Sequence, residues 1–198
     1  MVFFSSRKPS ALLDCLKSVL AGTFVSSTVC DLCKREHKQS EVFSCVMLDM
    51  LPSTTPTSID QLIKSFQEKE IIPFNRYRLC PRCDKIGSAV RQQTISVTGE
   101  WLILCVKRFF FSMGNFWAKN KRSVSYQLED FSIAGKAYDL CGLVCHSGSR
   151  KEGHYISYIK SGEIWYQCND SVVTRVASNV AANCNNEVYL LFYRIKAQ

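Results

Sequence analysis

The 198-residue chain has no apolar run near the roughly 20 residues that a membrane-spanning helix needs. Its first residues, Met1-Val2-Phe3-Phe4-Ser5-Ser6-Arg7-Lys8, lack the charged-then-apolar order of a secretory signal peptide. Internal repeats and long low-complexity segments are absent too, which argues against solenoids and tandem arrays. Acidic side chains are in short supply: 17 Asp and Glu face 25 Lys and Arg, for a net charge of +8. That surplus permits nucleic acid, acidic protein surfaces or anionic membranes as partners without choosing among them. A hydrophobic fraction of 46% with 21% charged residues is typical of a globular chain with a real core, so disorder is not expected. The expectation is a soluble protein of the cytoplasm and/or nucleus, with no membrane partner.

Cysteine is present in excess, at 11 residues. Four of these form two pairs, Cys30-Asp31-Leu32-Cys33 and Cys80-Pro81-Arg82-Cys83. Two intervening residues let one tight turn aim both thiolates at one ion, and two such turns complete a tetrahedral sulfur shell suited to zinc. With all four positions filled, such a zinc is structural. In a compartment that keeps thiols reduced, this spacing favours metal over disulfides. Cys15, Cys45, Cys105, Cys141, Cys145, Cys168 and Cys184 mostly sit in apolar runs and read as core residues. His37 is a possible substitute ligand, though an exposed position suits it better.

A short helix is expected over residues 10–21, with Ser10 as N-cap, Leu12, Leu13, Leu16 and Leu20 on one face, and Gly22 as the stop. A second starts near Ser58, where Ser58 and Gln61 make a capping box and Ile59, Leu62, Ile63 and Phe66 follow helical spacing. After residue 85 the pattern turns to strands: 89–97, 101–109, 137–145, 154–160, 163–168 and 187–195. Helical early and strand-rich late, the chain reads as α+β with an antiparallel sheet.

Residues 153–173 hold the most informative arithmetic. Two strand-like runs flank Ser161-Gly162, and a two-residue turn there sets Lys160 opposite Glu163 and Tyr158 opposite Trp165. His154 then faces Asn169, close enough for a hydrogen bond to the ring. A histidine held by an amide is the base-plus-orienter half of a catalytic triad. Asp170 falls on the other sheet face in this register, whereas a three-residue loop would bring it opposite His154. His154 as a plain polar strand residue is the alternative reading.

The order of these features resembles the ubiquitin-specific proteases, papain-like deubiquitinases with thumb, fingers and palm. The matching residues are Leu12-Leu13-Asp14 with Phe24, the two cysteine pairs, Glu41-Val42-Phe43, Ser58 to Phe66 and Val106-Lys107-Arg108-Phe109. They continue with Tyr138-Asp139-Leu140, His146-Ser147-Gly148, Gly153-His154-Tyr155 and Trp165 through Asn169-Asp170-Ser171-Val172-Val173. The resemblance implies a papain-like cysteine protease fold, with a zinc-finger layer, an antiparallel β palm and a largely missing thumb. Residues of about 10–22 would end the thumb, 23–95 form the fingers and 96–198 the palm. It also implies His154 as base, Asn169 as third triad member and Asp170 at an acidic position near the oxyanion or water. Cys30, Cys33, Cys80 and Cys83 would hold structural Zn2+. Residues Tyr155, Trp165, His146 and Gly153 would line the substrate region, with a place in the core as the equal alternative for Tyr155 and Trp165, beside loops 110–124 and 147–153 that flank a channel for the ubiquitin tail.

The family's nucleophile lies in a cysteine box before the first zinc pair, and residues 1–29 form no such box. Cys15, the one cysteine among them, lies in a helix rather than at a helix start. The resemblance therefore implies a deubiquitinase by descent whose own chain lacks the catalytic thiol and does not turn over conjugates alone. A catalytically inactive ubiquitin-binding or scaffold module is the alternative. The implied partners are ubiquitin, ubiquitin-conjugated proteins and a complementary thumb segment. Nucleic acid is not expected, although Lys107, Arg108, Lys119, Lys121 and Arg122 lie among Phe109, Phe110, Phe111, Phe116 and Trp117. The uncovered palm should show an apolar patch.

Overall fold

The computed structural model describes residues 19–50, 55–74, 79–112 and 116–196. Most of the helix expected over residues 10–21 lies outside them, and only Val19 and Leu20 are seen in helical form. Helix α1 (Ile59–Phe66) forms where the capping box places it. The Gln61 N–H donates to the Ser58 hydroxyl at 3.2 Å, and Gln61 Oε1 accepts from the Ser58 N–H at 3.0 Å. Its apolar stripe of Ile59, Leu62 and Ile63 is buried, each side chain contributing roughly 1.5–3 kcal/mol by leaving water. Helix α2 (Ser178–Ala182) is a short turn late in the chain.

Two sheets organise the rest. The smaller has β1 (Gly22–Cys30), β2 (Glu36–Phe43), β5 (Glu70–Ile72) and β6 (Ala89–Val97) in the order β2-β1-β6-β5. Strands β1 and β2 escape a pattern reading because both their faces are partly wet: β1 buries every fourth residue and β2 only its last fully. Gly22, expected only as a helix stop, opens β1. A Cβ there would strike the Phe43 ring, which stacks on Phe24 with centroids 4.1 Å apart.

The larger sheet has eight strands. These are β3 (Val46–Asp49), β7 (Trp101–Lys107), β11 (Phe131–Ile133), β12 (Lys136–Gly148), β13 (Gly153–Ser161), β14 (Ile164–Asn169), β15 (Val172–Val176) and β16 (Val188–Ile195). Seven run in the order β15-β14-β13-β12-β16-β7-β3, with β11 alongside β12. The fold is α+β as expected, but the sheet is not wholly antiparallel: β3 pairs parallel to β7. Val46 and Leu48 of β3 and the α1 stripe join one core with Leu102, Leu104, Val106, Tyr138, Leu140, Leu143 and Leu191. Two small pairs complete the described residues: β4 (Thr57–Ser58) parallel to β10 (Val124–Ser125), and a ribbon of β8 (Phe109–Phe111) and β9 (Trp117–Lys119). The sequence run expected as one strand over 101–109 breaks at Arg108, the residue between β7 and β8.

That break has a physical cause. Arg108 is fully buried and donates to four backbone carbonyls rather than to a carboxylate. Nε reaches Val188 O at 2.6 Å, Nη1 reaches Asn120 O at 3.1 Å and Arg122 O at 2.8 Å, and Nη2 reaches Asn185 O at 2.7 Å. Burial pulls the guanidinium down to about 10, which leaves it charged at neutral pH. Lys119 donates to the His146 carbonyl, and Lys107 pairs with Asp49 at 2.5 Å. Three of the five residues of the basic cluster are thus committed inside the chain. Arg108→Ala removes the donor from four carbonyls and is expected to cost about 3 kcal/mol or more. Urea unfolding would show this as a lowered midpoint; a change under about 0.5 kcal/mol, the range of ordinary surface substitutions, would contradict the role.

Candidate functional site

Two constellations carry chemistry. The first closes the far end of the smaller sheet, where the Cys30, Cys33, Cys80 and Cys83 thiols all lie within 4.8 Å of one another. Each pair sits on the same kind of turn. Lys34 N donates to Cys30 O at 2.9 Å and Cys30 N to Arg35 O at 3.2 Å; Asp84 N donates to Cys80 O at 2.9 Å and Cys80 N to Lys85 O at 3.0 Å. Lys34 and Asp84 occupy the left-handed region at φ 57 and 55, which bends both turns back toward their cysteines. The Arg82 N–H, 3.4 Å from Cys80 Sγ, pulls that thiol toward thiolate.

Those thiols fit a metal. A tetrahedral shell with metal–sulfur bonds near 2.3 Å has an edge of about 3.8 Å, and Cys33 Sγ and Cys80 Sγ are 3.8 Å apart. Asp31 supports the layer, donating its N–H to Ser88 O at 3.0 Å and accepting from the Ser88 hydroxyl. His37 lies in β2 opposite Thr28 and is not among the four.

The second constellation lies where β12, β13 and β14 end together. His154 Nε2 and Asn169 Oδ1 are 2.5 Å apart. An amide oxygen only accepts, so Nε2 carries a proton, and in the neutral ring the lone pair is then on Nδ1. The contact arrives by a register other than the expected one. Ser161 pairs with Ile164, Lys160 with Trp165 and Tyr158 with Gln167, so Gly162 and Glu163 form the turn. Gly162 takes φ 57, which suits a glycine at the first central position of a tight hairpin. The shift is two residues, an even number, so every side chain keeps its face. His154 and Asn169 are therefore diagonal rather than opposite neighbours, still within reach.

The β13–β14 ladder stops at Ser157 and Cys168, and beyond it both His154 and Asn169 are exposed. Asp170 occupies the β14–β15 turn at φ 51. Among the described residues no cysteine thiol is hydrogen-bonded to His154.

The residues expected to line substrate separate by face. Alternation along β13 puts His154, Ile156 and Tyr158 on the core side, and Gly153 and Tyr155 on the other. Tyr155 pairs with His146 across the ladder, with ring centroids 4.6 Å apart, and is 54% exposed. His146 is buried, also touching Phe109 and Tyr189. Burial pushes its imidazole below the ordinary range; Lys119 adds to this and Glu187 opposes it. For Trp165 the structure selects the core reading over the substrate-lining one: at 3% exposure it offers substrate no surface. It shares a face with Gln167 and Asn169, which makes it the buried foot of the strand that presents Asn169.

Gly153 is there for clearance, since a Cβ would run into His146 Nε2. Phe109, Tyr189 and Lys119 complete this wall. Nothing in the sequence marked Tyr189, which lies at a ladder irregularity in β16 opposite Val144 and Cys145. Arg150 lies 4.3 Å from the Trp117 ring centre, joining the 147–153 loop to the β8–β9 ribbon. Beside the site Tyr155, Val172 and Val173 are each more than half exposed, Val172 on the His154 face and Tyr155 and Val173 on the other.

The family model described as ubiquitin carboxyl-terminal hydrolase matches residues 6–193. Ubiquitin carboxyl-terminal hydrolase 25 of Arabidopsis thaliana is 30% identical over 96% of this chain and 29% of its own length. Ubiquitin carboxyl-terminal hydrolase 8 of Saccharomyces cerevisiae is 28% identical over 96% of this chain and 44% of its own. The chain thus spans under half the length of these curated relatives. Among solved structures, the SAGA DUB module of Ubp8, Sgf11, Sus1 and Sgf73 bound to monoubiquitin matches with a TM-score of 0.77. Its identity is 26%, and the match covers 92% of this chain and 42% of that one.

Two outcomes follow from the geometry. Stripping metal with a strong chelator is expected to abolish amide-exchange protection at the ends of β1 and β6, while β7, β12 and β16 stay protected; unchanged protection would count against a metal there. Gly153→Ala is expected to cost roughly 1–3 kcal/mol through overpacking and to displace the His154 ring resonances, readable by NMR. Wild-type stability and shifts would contradict the clearance role.

Proposed function

The chain belongs to the ubiquitin carboxyl-terminal hydrolase family, and from that premise we propose that it carries the histidine–asparagine half of a thiol-dependent deubiquitinating site. The observation behind this is the 2.5 Å contact between His154 Nε2 and Asn169 Oδ1, which frees Nδ1 to act as a base. In the proposed reaction a thiolate attacks the carbonyl that ends ubiquitin, and the protonated His154 returns its proton to the departing lysine amine. Asp170, one residue past Asn169, would orient water or the oxyanion. Tyr155, beside Gly153 and against His146, would border the ubiquitin tail, with the Arg150–Trp117 contact bridging the two flanking loops.

The attacking thiol would come from polypeptide that completes the thumb. In this assignment residues of about 10–22 end the thumb, 23–95 form the fingers and 96–198 the palm, with β3 and α1 lending core to the palm sheet. Zinc is the metal proposed for the four thiols, in a structural role, because the sulfur-only shell and the 3.8 Å edge suit it. A second reading, a ubiquitin-binding module without turnover, is favoured by the lack of a thiol hydrogen-bonded to His154 among the described residues. A cytoplasmic or nuclear setting remains the proposed location.

Adding the zinc-loaded chain to 15N-labelled ubiquitin is expected to shift ubiquitin resonances; an unperturbed spectrum would overturn both readings. An electrophile at the ubiquitin C-terminus then separates them. The half-site reading expects no adduct with this chain alone and an adduct on the added thumb polypeptide when the two are combined, weakened at least tenfold by His154→Ala. Binding with no adduct in the combination would leave the non-enzymatic module.

A further inference from the structure

His146 is buried at 3% exposure, and its Nδ1 has no protein hydrogen-bond partner among the described residues. It belongs to β12, directly opposite Tyr155, while the neighbouring pair sets Ser147 against His154. The imidazole therefore lies on the sheet face opposite to the His154 side chain. There it fills the space that a Cβ on Gly153 would occupy and packs its ring against Tyr155. The backbone on both sides of His154 thus rests on one imidazole. This support matters because β14 leaves the ladder at Ser157 and Cys168, so residues 154–156 have only β12 beside them.

We propose that His146 is a positioning residue: a neutral imidazole wedged behind Gly153–Tyr155 holds His154 at hydrogen-bonding distance from Asn169, and protonating that wedge releases it. The inference rests on the reading of His154 as the base. The groups that face His146 come from four elements. Lys119 of β9 donates its ammonium to the His146 carbonyl, and Phe109 of β8 covers the ring without charge. Tyr155 of β13 and Tyr189 of β16 bring hydroxyl-bearing rings. Glu187, just before β16, accepts the His146 backbone N–H on its carbonyl at 2.9 Å.

Removal from water disfavours the imidazolium most, the Lys119 charge adds to that, and the Glu187 carboxylate opposes both without outweighing them. The native value lies below the ordinary 6.5. The stability linked to a neutral His146 is thus complete above about 6.5 and is lost as pH falls through the lower native value. A charged ring in this position needs water or an acceptor, and admitting either disturbs the packing of the imidazole against Gly153 and Tyr155. Acid is therefore expected to separate His154 from Asn169 before the fold as a whole opens.

The chain has three histidines, so a 15N imidazole titration from pH 7.5 to 4.5 can resolve each of them. The expected result is a depressed His146 transition, accompanied by loss of the His154 Nε2 proton signature and a tenfold or greater rise in amide exchange at residues 153–155. His146→Phe keeps a flat uncharged ring and is expected to remove that acid transition while the His154 signature persists. If this variant misfolds, His146→Gln serves in its place. An ordinary His146 titration, a His154 signature that passes unchanged through the His146 transition, or an acid transition that survives in the neutral variant would each overturn the proposal. The measurement uses neither ubiquitin nor a thiol, so its failure is distinct from failure of the ubiquitin reading.

Discussion

Arg108 holds together parts of the chain that are distant in sequence. Its guanidinium bonds reach the segment after the β8–β9 ribbon at Asn120 and Arg122, the turn after α2 at Asn185 and the start of β16 at Val188. No buried carboxylate is needed, because four carbonyl dipoles share the charge and the carbonyls gain the donors that burial would otherwise deny them. The ribbon so anchored supplies Phe109 and Lys119 to the His146 wall, and β16 supplies Tyr189. The histidine site is thereby built on the edge of a polar core contact as well as on apolar packing.

From that anchor the site follows by strand geometry. Strand β12 has one irregularity with β16 near Cys141 and a second between Val144 and Cys145. Leu143 between them and Cys145 just after the second stay in the core, while His146 turns to the opposite face and meets Tyr155. The same alternation in β13 sends His154 toward Asn169. His154 and the aromatic packing behind its backbone thus lie on the two faces of one sheet end, divided by a single strand. The four-thiol layer lies at the end of the other sheet, where two turns of matching hydrogen-bond pattern bring cysteines 47 residues apart to 3.8 Å.

Local chemistry was legible where it repeats over short distances. The capping box and apolar stripe of α1, the run Ala89–Val97 and both cysteine turns depend on residues a few positions apart, and each lies where spacing put it. The pairing of His154 with Asn169 was also legible, although the register was two residues away from the expected one. Its survival has a simple reason: an even slip preserves the face, and the side chains span the remaining diagonal. Strands β1 and β2 left little trace because water reaches both faces, so no alternation is imposed on them.

By itself the sequence determined which residues could act: four thiols in two turns, an imidazole and an amide at hairpin spacing, and a family order that the comparisons bear out. Tertiary structure alone decided which of them are accessible. It buried Trp165 and His146, left Tyr155 exposed, and turned Arg108 from a candidate surface cation into an internal anchor. It also assigned Gly153 its purpose, clearance for a ring from a neighbouring strand. The physical reason is that burial and clearance depend on which strands become neighbours, and a parallel β3–β7 pair or a ribbon folded over β12 leaves no periodic mark in the residues it brings together.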